Sequence, residues 1–443
     1  MNTWDKRSLT RLLWPLVVEQ VLAVTMGAAD TIMVSSVGEA AVSGVNIIDN
    51  INNLFIIAFT ALCTGGTVVV SQYLGRGDGD NSRSAARQLY YVVVLAALAV
   101  MIPAMLWRRG IIRFLYGSVP EEVMSAASIY FLITAASYPF LGIYNACAAL
   151  FRSEGNSKVP MRIALMVNIT NIAGNSLFIF GLGLGAEGAA LATLSSRIIA
   201  AGVLTAMLVR GASPASLRGL RRVALNRDMI RRILSVGIPS GLEGSMFQTG
   251  RLLTQRIFTS FGTAAIAGNA IASVINSFSF MPGSAYGMAL LTVVGQCMGA
   301  GNIEEARRNT ARIMKMSWLT LFALSGGIFL FMEPLVSLFR LSAEAHRMAV
   351  DFLRVHCVSM SLSWSFSFAL PNALRAAGDA RYVMISAAAS MFAVRVSCAY
   401  LITFVLGAGP LGVWIAMGLD FAVRGSCYAL RWRSGKWRDK RVI

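Results

Sequence analysis

Apolar residues run along this chain in long blocks, and the polar residues gather between them. Twelve blocks are long enough to cross a bilayer, for which about 20 residues suffice. They cover roughly 12–34, 44–70, 87–107, 123–149, 163–183, 187–209, 234–258, 266–296, 316–338, 348–372, 382–406 and 410–430. The second opens on a polar stretch that includes Asn46, Asp49, Asn50, Asn52 and Asn53. Hydrocarbon offers the backbone no hydrogen bonds, so an apolar segment of this length crosses as a helix. The pattern predicts an all-α polytopic membrane protein of twelve transmembrane helices. The N-terminal stretch MNTWDKRSLTRLLWP is basic and amphipathic, and the apolar run after it is too long for a cleavable signal.

The blocks repeat. A shift of 224 residues aligns Pro15 with Pro239, Glu19 with Glu243, Thr25 with Thr249, and Gly38, Ala40, Ala41 and Gly44 with Gly262, Ala264, Ala265 and Gly268. These seven identities within thirty positions already exceed the roughly two or three that this biased composition gives by chance. The same shift sets Gln72, Gly75, Gly77 and Arg83 against Gln296, Gly299, Gly301 and Arg307. A shift of 223 sets Arg152, Gly155 and Met161 against Arg375, Gly378 and Met384, and at 224 Gly188 and Ala192 meet Gly412 and Ala416. Each repeat holds six spans, an even number, so both halves enter the membrane from one side. Two six-helix lobes related by a pseudo-two-fold along the membrane normal follow, an arrangement common in transporters. The expected organisation is an N-terminal lobe at 1–209, a basic cytoplasmic linker at 210–233 and a C-terminal lobe at 234–443.

Composition agrees with this and adds an orientation. The chain is 56% hydrophobic and 14% charged, far below the roughly 25% charged residues of a soluble domain. An ordinary soluble enzyme, a disordered chain and a disulfide scaffold are excluded. The formal charge of +18 first points to nucleic acid. Of the 39 basic residues, however, 28 fall at the termini and in the even-numbered loops, five in the odd-numbered loops and six inside spans. That bias places both termini in the cytoplasm of a cell whose inner membrane the chain spans many times, and leaves no role for nucleic acid. The paired segments SQYLGRGDGDNSR (71–83) and GQCMGAGNIEEAR (295–307) lack the strand context and Gly-Lys-Ser/Thr ending of a phosphate loop, so they read as tight turns. The six cysteines form no CxxC and the two histidines share no metal-ligand spacing. No cofactor, no resident metal and no catalytic constellation are expected, and the chain is read as a monomer.

Charges inside the spans need a reason, because each costs about 2.5–3.5 kcal/mol to insert. Glu19 and Asp30 lie eleven residues apart on span 1. They share a helix face within roughly 20° and sit about 16 Å apart along the axis, with Asp30 in the outer half. Glu243 repeats Glu19 on span 7, and this symmetric pair suits either a gating role or a structural one, an Arg-paired carboxylate holding the first helix of each lobe. The repeat of Asp30 is Thr254, beside Gln248, Arg251 and Arg256, and the repeat of Asn171 is Arg395. The first lobe is thus built around acid and amide oxygens, the second around a guanidinium. Asp30, Asn171, Asn175 and Thr193 could surround a hard cation or a protonatable carboxyl. Met26, Met246 and Phe280 offer adaptable apolar contacts to a substrate, or core packing between helices.

With these residues in view, the sequence resembles the multidrug and toxic compound extrusion (MATE) family. The resemblance rests on ADTIMVSSVGEAAVSG (29–44), VSQYLGRGD (70–78) with VVGQCMGAGN (293–302), FRSEGNSKVP (151–160) with LRAAGDARYV (374–383), GIPSGLEGSMFQTG (237–250) and LGAEGAALAT (184–193). It covers essentially the whole chain. It implies two six-helix lobes in a V, and export of cationic, amphipathic compounds against an inward H⁺ or Na⁺ gradient by alternating access. It also implies a first-lobe coupling site at Asp30, Asn171, Asn175, the Ala189 carbonyl and Thr193. Asn175 stands where many members have a second acid, which shifts the expectation from Na⁺ toward H⁺. Glu19, Glu243, Gln248, Arg251, Arg395, Met26, Met246 and Phe280 are the candidate substrate and gating residues. The expected partners are small-molecule substrates and membrane lipid. A flippase of a lipid-linked or anionic substrate on the same superfold is the alternative that the in-membrane arginines support.

Overall fold

The computed structural model describes residues 4–117, 120–211, 213–220, 224–440 and 442–443. Arg221, Arg222 and Arg441, counted above among the basic residues, lie outside the described residues, as does the side chain of Ala40. Among the described residues every regular element is helical.

The first six spans are α1 (Lys6–Ser35), α2 (Glu39–Arg76), α3 (Gly79–Leu106), the pair α5 (Glu121–Ala136) and α6 (Tyr138–Ser153), α7 (Lys158–Asn175) and α8 (Gly185–Arg210). A short amphipathic helix, α4 (Arg108–Tyr116), precedes the fourth span. That span bends by 43° between α5 and α6. Pro139, at the start of α6, supplies no amide hydrogen to the preceding turn, which accounts for the bend. The last six spans are α9 (Arg227–Thr259), α10 (Gly262–Gly299), α11 (Ile303–Ser337), the run α12 (Ala343–Ser359) to α13 (Leu370–Ala376), the run α14 (Ala380–Ala389) to α15 (Ser397–Tyr400), and α16 (Leu411–Arg433). Wide π-helical turns interrupt the spans at Ser176–Gly181, Met360–Ala369, Ser390–Val396 and Leu401–Val405. By length and composition up to nine of the described helices can cross a membrane, with the bent fourth span counted once. The three spans outside that set are α9, α12–α13 and α16, which carry Glu243, Arg251 and Arg256, then Asp351 and Arg354, then Asp420 and Arg424. Charge makes α9 and α16 less apolar, and in α12–α13 the serines of Met360–Ala369 add to that effect, yet all three remain helical.

The chain divides into two compact units, Trp14–Ile238 and Pro239–Ile443 with Met1–Leu13. Within each, the same contacts recur. Gly44 of α2 meets the backbone of Ala127 on α5, where a Cβ would sit 3.0 Å from the Ala127 nitrogen. Its repeat, Gly268 of α10, meets α12, where a Cβ would sit 2.9 Å from the Ala345 carbonyl oxygen. Small residues let membrane helices pack backbone to backbone, which explains why this glycine recurs. The Gly-x-Gly segments are helix-ending turns. Gly77 closes α2 at φ 80°, and Gly301 follows α10 at φ 71°. Each is followed by a side chain that caps the next helix, Asp78 accepting from the Asn81 amide and Asn302 from the Glu305 amide.

The linker expected at 210–233 is shorter, because α8 runs to Arg210 and α9 begins at Arg227. Its described part is docked on the first unit. Glu154 at the end of α6 accepts from the Ser213 hydroxyl and from the Ala215 amide, the latter at 2.7 Å. Burial holds the Glu154 carboxyl above the usual carboxylate range in spite of those donors. On α3, Gln88 donates to the Ala224 carbonyl and accepts from the Asn226 amide, and Tyr91 donates to the Leu220 carbonyl. Ala215, Ser216 and Leu217 are buried as a result.

Gly268→Leu should lower the detergent melting temperature by several degrees, from an overpacking cost of about 1–3 kcal/mol. Gly327→Leu, where a Cβ would meet nothing within 4 Å, should not lower it. Equal melting of the two variants would show that the α10–α12 crossing tolerates a side chain at this glycine.

Candidate functional site

Three helices of the first lobe assemble a polar group. α1 brings Asp30, α7 brings Asn171 and Asn175 one turn apart, and α8 brings Thr193. Asn175 Nδ2 donates to Asp30 Oδ1 at 2.5 Å and lies 3.4 Å from Asn171 Oδ1. Asn171 Nδ2 in turn donates to Thr193 Oγ1 at 3.3 Å. Both asparagines are fully buried, and Asn175 Oδ1 has no hydrogen-bond partner in the protein. Ala189 is buried one turn before Thr193 and stands outside this chain of hydrogen bonds. α7 widens into its π-helical turn directly after Asn175. Such turns often mark functional positions in helices.

Two further charges belong to the same group. Asp49 on α2 and Arg197 on α8 both act electrostatically on Asp30. Asp49 Oδ1 faces Tyr130 Oη and Asn52 Nδ2, each at 3.4 Å, and Tyr138 Oη donates to Asn52 Oδ1 at 2.7 Å. Arg197 Nη1 donates to Ser137 Oγ at 2.6 Å. Asp49 belongs to the polar start of the second span and Arg197 is one of the six basic residues inside spans; the sequence alone assigns neither a role here. A signal existed for Arg197: it lies four residues after Thr193 and so shares its helix face.

Glu19 and Glu243 are both engaged by arginine. Arg152 Nη1 donates to Glu19 Oε1 at 2.7 Å, and Arg375 Nη2 donates to Glu243 Oε2 at 2.5 Å. All four side chains are at most 16% exposed. The two pairs are repeats of one another, each joining the first helix of a lobe to the C-terminal end of its fourth span. Asn372 accepts a second bond from Arg375, at 2.7 Å.

The remaining second-lobe candidates do not gather into one group. Thr254, at the repeat position of Asp30, is buried and bonded to carbonyls of its own helix. Met246 and Gln248 are half-buried and Arg251 is exposed on α9. Phe280 on α10 is exposed and stacks on Trp364 at 6.4 Å between ring centres. Met26 on α1 is half-buried. Arg395 is buried beside Asp420 and Arg424 of α16. The sequence reading missed Asp420, which supplies the second lobe with a buried acid at a position other than that of Thr254.

A family model described as MatE matches residues 15–177 and again 239–401, two stretches offset by the same 224 residues as the internal repeat. The chain is 28% identical to the "Uncharacterized transporter YisQ" of Bacillus subtilis, over 98% of this chain and 95% of the relative. It is 28% identical to the "Probable multidrug resistance protein NorM" of Thermotoga maritima, over 99% and 94%. Among solved structures, an outward-facing multidrug resistance MATE family transporter of the MOP superfamily superposes with a TM-score of 0.90 at 22% identity, covering 98% of this chain and 96% of the other. A MATE in complex with MaL6 gives 0.91 at 21% identity, covering 98% and 97%. At these identities the structural likeness shows the fold, two lobes of six helices each.

Glu243→Gln should destabilise the protein by about 3 kcal/mol or more, since it leaves a buried guanidinium without its carboxylate. Adding Arg375→Met should recover most of that loss. The check is a double-mutant cycle on thermal unfolding in detergent, and additive losses would show that the two side chains do not support each other.

Proposed function

The chain belongs to the MatE family of multidrug-efflux transporters, and on that premise we propose that it exports cationic, amphipathic organic compounds in exchange for protons, with Asp30 as the proton carrier. The observation that carries this reading is the contact of Asp30 with Asn175. The asparagine presents an N–H to the carboxylate at 2.5 Å, where a second carboxylate would have offered Na⁺ an oxygen. Arg197 already places a fixed positive charge among these groups. A site whose guanidinium already offsets one of its two carboxylates, with amides beside Asp30, favours a proton, which needs no coordination shell, over a metal cation, which needs several oxygens.

Protonation of Asp30 would remove the charge that Asn175 serves and weaken the tie between α1 and α7. α1 contains Pro15 within the helix and Gly27 in open space, and α7 ends in a π-helical turn. Those are places where the two helices can repack. Loss of negative charge in the first lobe would also release a bound organic cation. Both termini lie in the cytoplasm of this proposal, with the inner membrane as the site of action and Asp30 toward the outside. Exposed Arg251 and Arg256 on α9 favour a second reading, transport of compounds with an anionic group.

Asp30→Asn should abolish resistance in an efflux-deficient host while the protein still reaches the membrane, and should cut dye export from vesicles by at least about tenfold. Full resistance in that variant would sink the assignment of Asp30. A pH gradient should drive wild-type export at least as well as a Na⁺ gradient, and Asn175→Asp should raise the response to Na⁺. Strict Na⁺ dependence of the wild type would overturn the proton reading. A substrate panel of organic cations and anionic lipids distinguishes the two substrate classes.

A further inference from the structure

The buried charges of the second lobe do not cancel. Arg395 lies in the π-helical turn Ser390–Val396, while Asp420 and Arg424 lie one turn apart on α16. Asp420 is fully buried, and Arg395 and Arg424 are 6% and 2% exposed. Ser390 Oγ donates to Asp420 Oδ1 at 2.6 Å. Asp420 Oδ2 is 3.6 Å from Arg424 Nη2 and 3.9 Å from Arg395 Nη1, both beyond hydrogen-bond length. Nε and Nη1 of Arg395, and Nε and Nη2 of Arg424, have no hydrogen-bond partner in the protein.

Aromatic rings cover the faces of the two guanidiniums. Phe368 lies 4.4 Å from the Arg424 carbon, and Phe247 lies 5.3 Å from that of Arg395. Rings satisfy the flat faces of a guanidinium and leave its N–H edges in need of acceptors. Two guanidiniums against one carboxylate leave one positive charge in an apolar interior, and Arg251 adds to the positive potential at Arg395. Buried charge of this kind calls for a counter-charge.

The internal repeat sharpens the point. Arg395, Asp420 and Arg424 stand where the first lobe has Asn171, Ser196 and Ala200. One scaffold position, that of Asn171 and Arg395, therefore carries an amide in the lobe of the proposed cation site and a guanidinium in the other. The acid and second arginine beside it have no charged counterparts in the first lobe.

We propose that Arg395 and Arg424 together hold one small monovalent anion of the halide class inside the second lobe, with Asp420 limiting its affinity. The single net charge selects a monovalent ion. The depth of burial selects a small one, since neither guanidinium is open to a bulky organic acid. The site is independent of the proton reading for Asp30, because the two groups lie in different lobes.

The test is equilibrium binding of radioactive chloride to the purified full-length protein in detergent, with gluconate as the replaced anion. The wild type should bind one chloride per chain saturably. Arg395→Gln and Arg424→Gln should each weaken binding by about tenfold or more, the scale of one charge-assisted hydrogen bond. Asp420→Asn should tighten it, a change of opposite sign that general destabilisation does not produce. Arg395→Lys, which keeps the charge, covers the case in which the glutamine variant fails to fold, and should bind more weakly than wild type. Binding should persist in Asp30→Asn, so loss of transport in that variant leaves this result standing. No saturable chloride binding up to physiological ionic strength would overturn the proposal. So would binding that none of the Arg395, Arg424 and Asp420 substitutions alters.

Discussion

A carboxylate on an apolar helix is stable only where a positive charge meets it, and in each lobe one such meeting fixes the first helix. The Glu19–Arg152 and Glu243–Arg375 pairs fasten α1 to the end of α6 and α9 to the end of α13. With Glu19 held, the rotation of α1 about its axis is set. Asp30, eleven residues further along, returns to nearly the same face after three turns. That is the face from which it reaches Asn175 on α7. The ion pair thus does more than neutralise a charge: it aims the residue on which the proposed coupling depends.

Around these pairs the two lobes share a scaffold and differ in polarity. The close helix crossings at Gly44 and Gly268, the turns at Gly77 and Gly301, and the capped starts of α3 and α11 are common to both. Such features set backbone paths, so they tolerate little change in either copy. The differences fall where side chains face one another in the interior: Asp30 against Thr254, Asn171 against Arg395, Ser196 against Asp420 and Ala200 against Arg424. Among the described residues three π-helical turns lie in the second lobe and one in the first. Each turn shifts the helix face that follows it, so a repeated sequence register no longer implies a repeated side-chain direction.

That shift also explains what could and could not be read from sequence. The spans, the repeat and the shared face of Glu19 and Asp30 are properties of one helix at a time, and hydrophobic blocks and helical spacing reveal them. The partner of a buried charge is a property of two helices. Arg152 was visible as a loop residue and Glu19 as a span residue, yet nothing along the chain joined them. Asp420 was hidden for another reason. It sits in the apolar run LGVWIAMGLDFAVRG four residues before Arg424, a spacing that on an isolated helix reads as a local ion pair. Only distances reveal that neither arginine closes on it. The docked linker escaped notice because its anchors, Gln88 and Tyr91 within α3 and Glu154 at the end of α6, are ordinary polar residues.

The arithmetic of buried charge connects the two proposals. In the first lobe Asp30, Asp49 and Arg197 sum to one negative charge, and in the second Arg395, Arg424 and Asp420 sum to one positive charge. Neither remainder is stable in an apolar surround, because the cost of an isolated ion there exceeds that of any single hydrogen bond. A proton on Asp30 brings the first group to neutrality, and a halide between the arginines does the same for the second. The first neutralisation must be reversible if it is the proposed coupling step, and Asp30 is only partly buried. The second has no such requirement, and its three side chains are nearly sealed. On this argument an ion that exchanges during the cycle belongs to the first lobe, while the second lobe holds its ion as a fixed part of the scaffold.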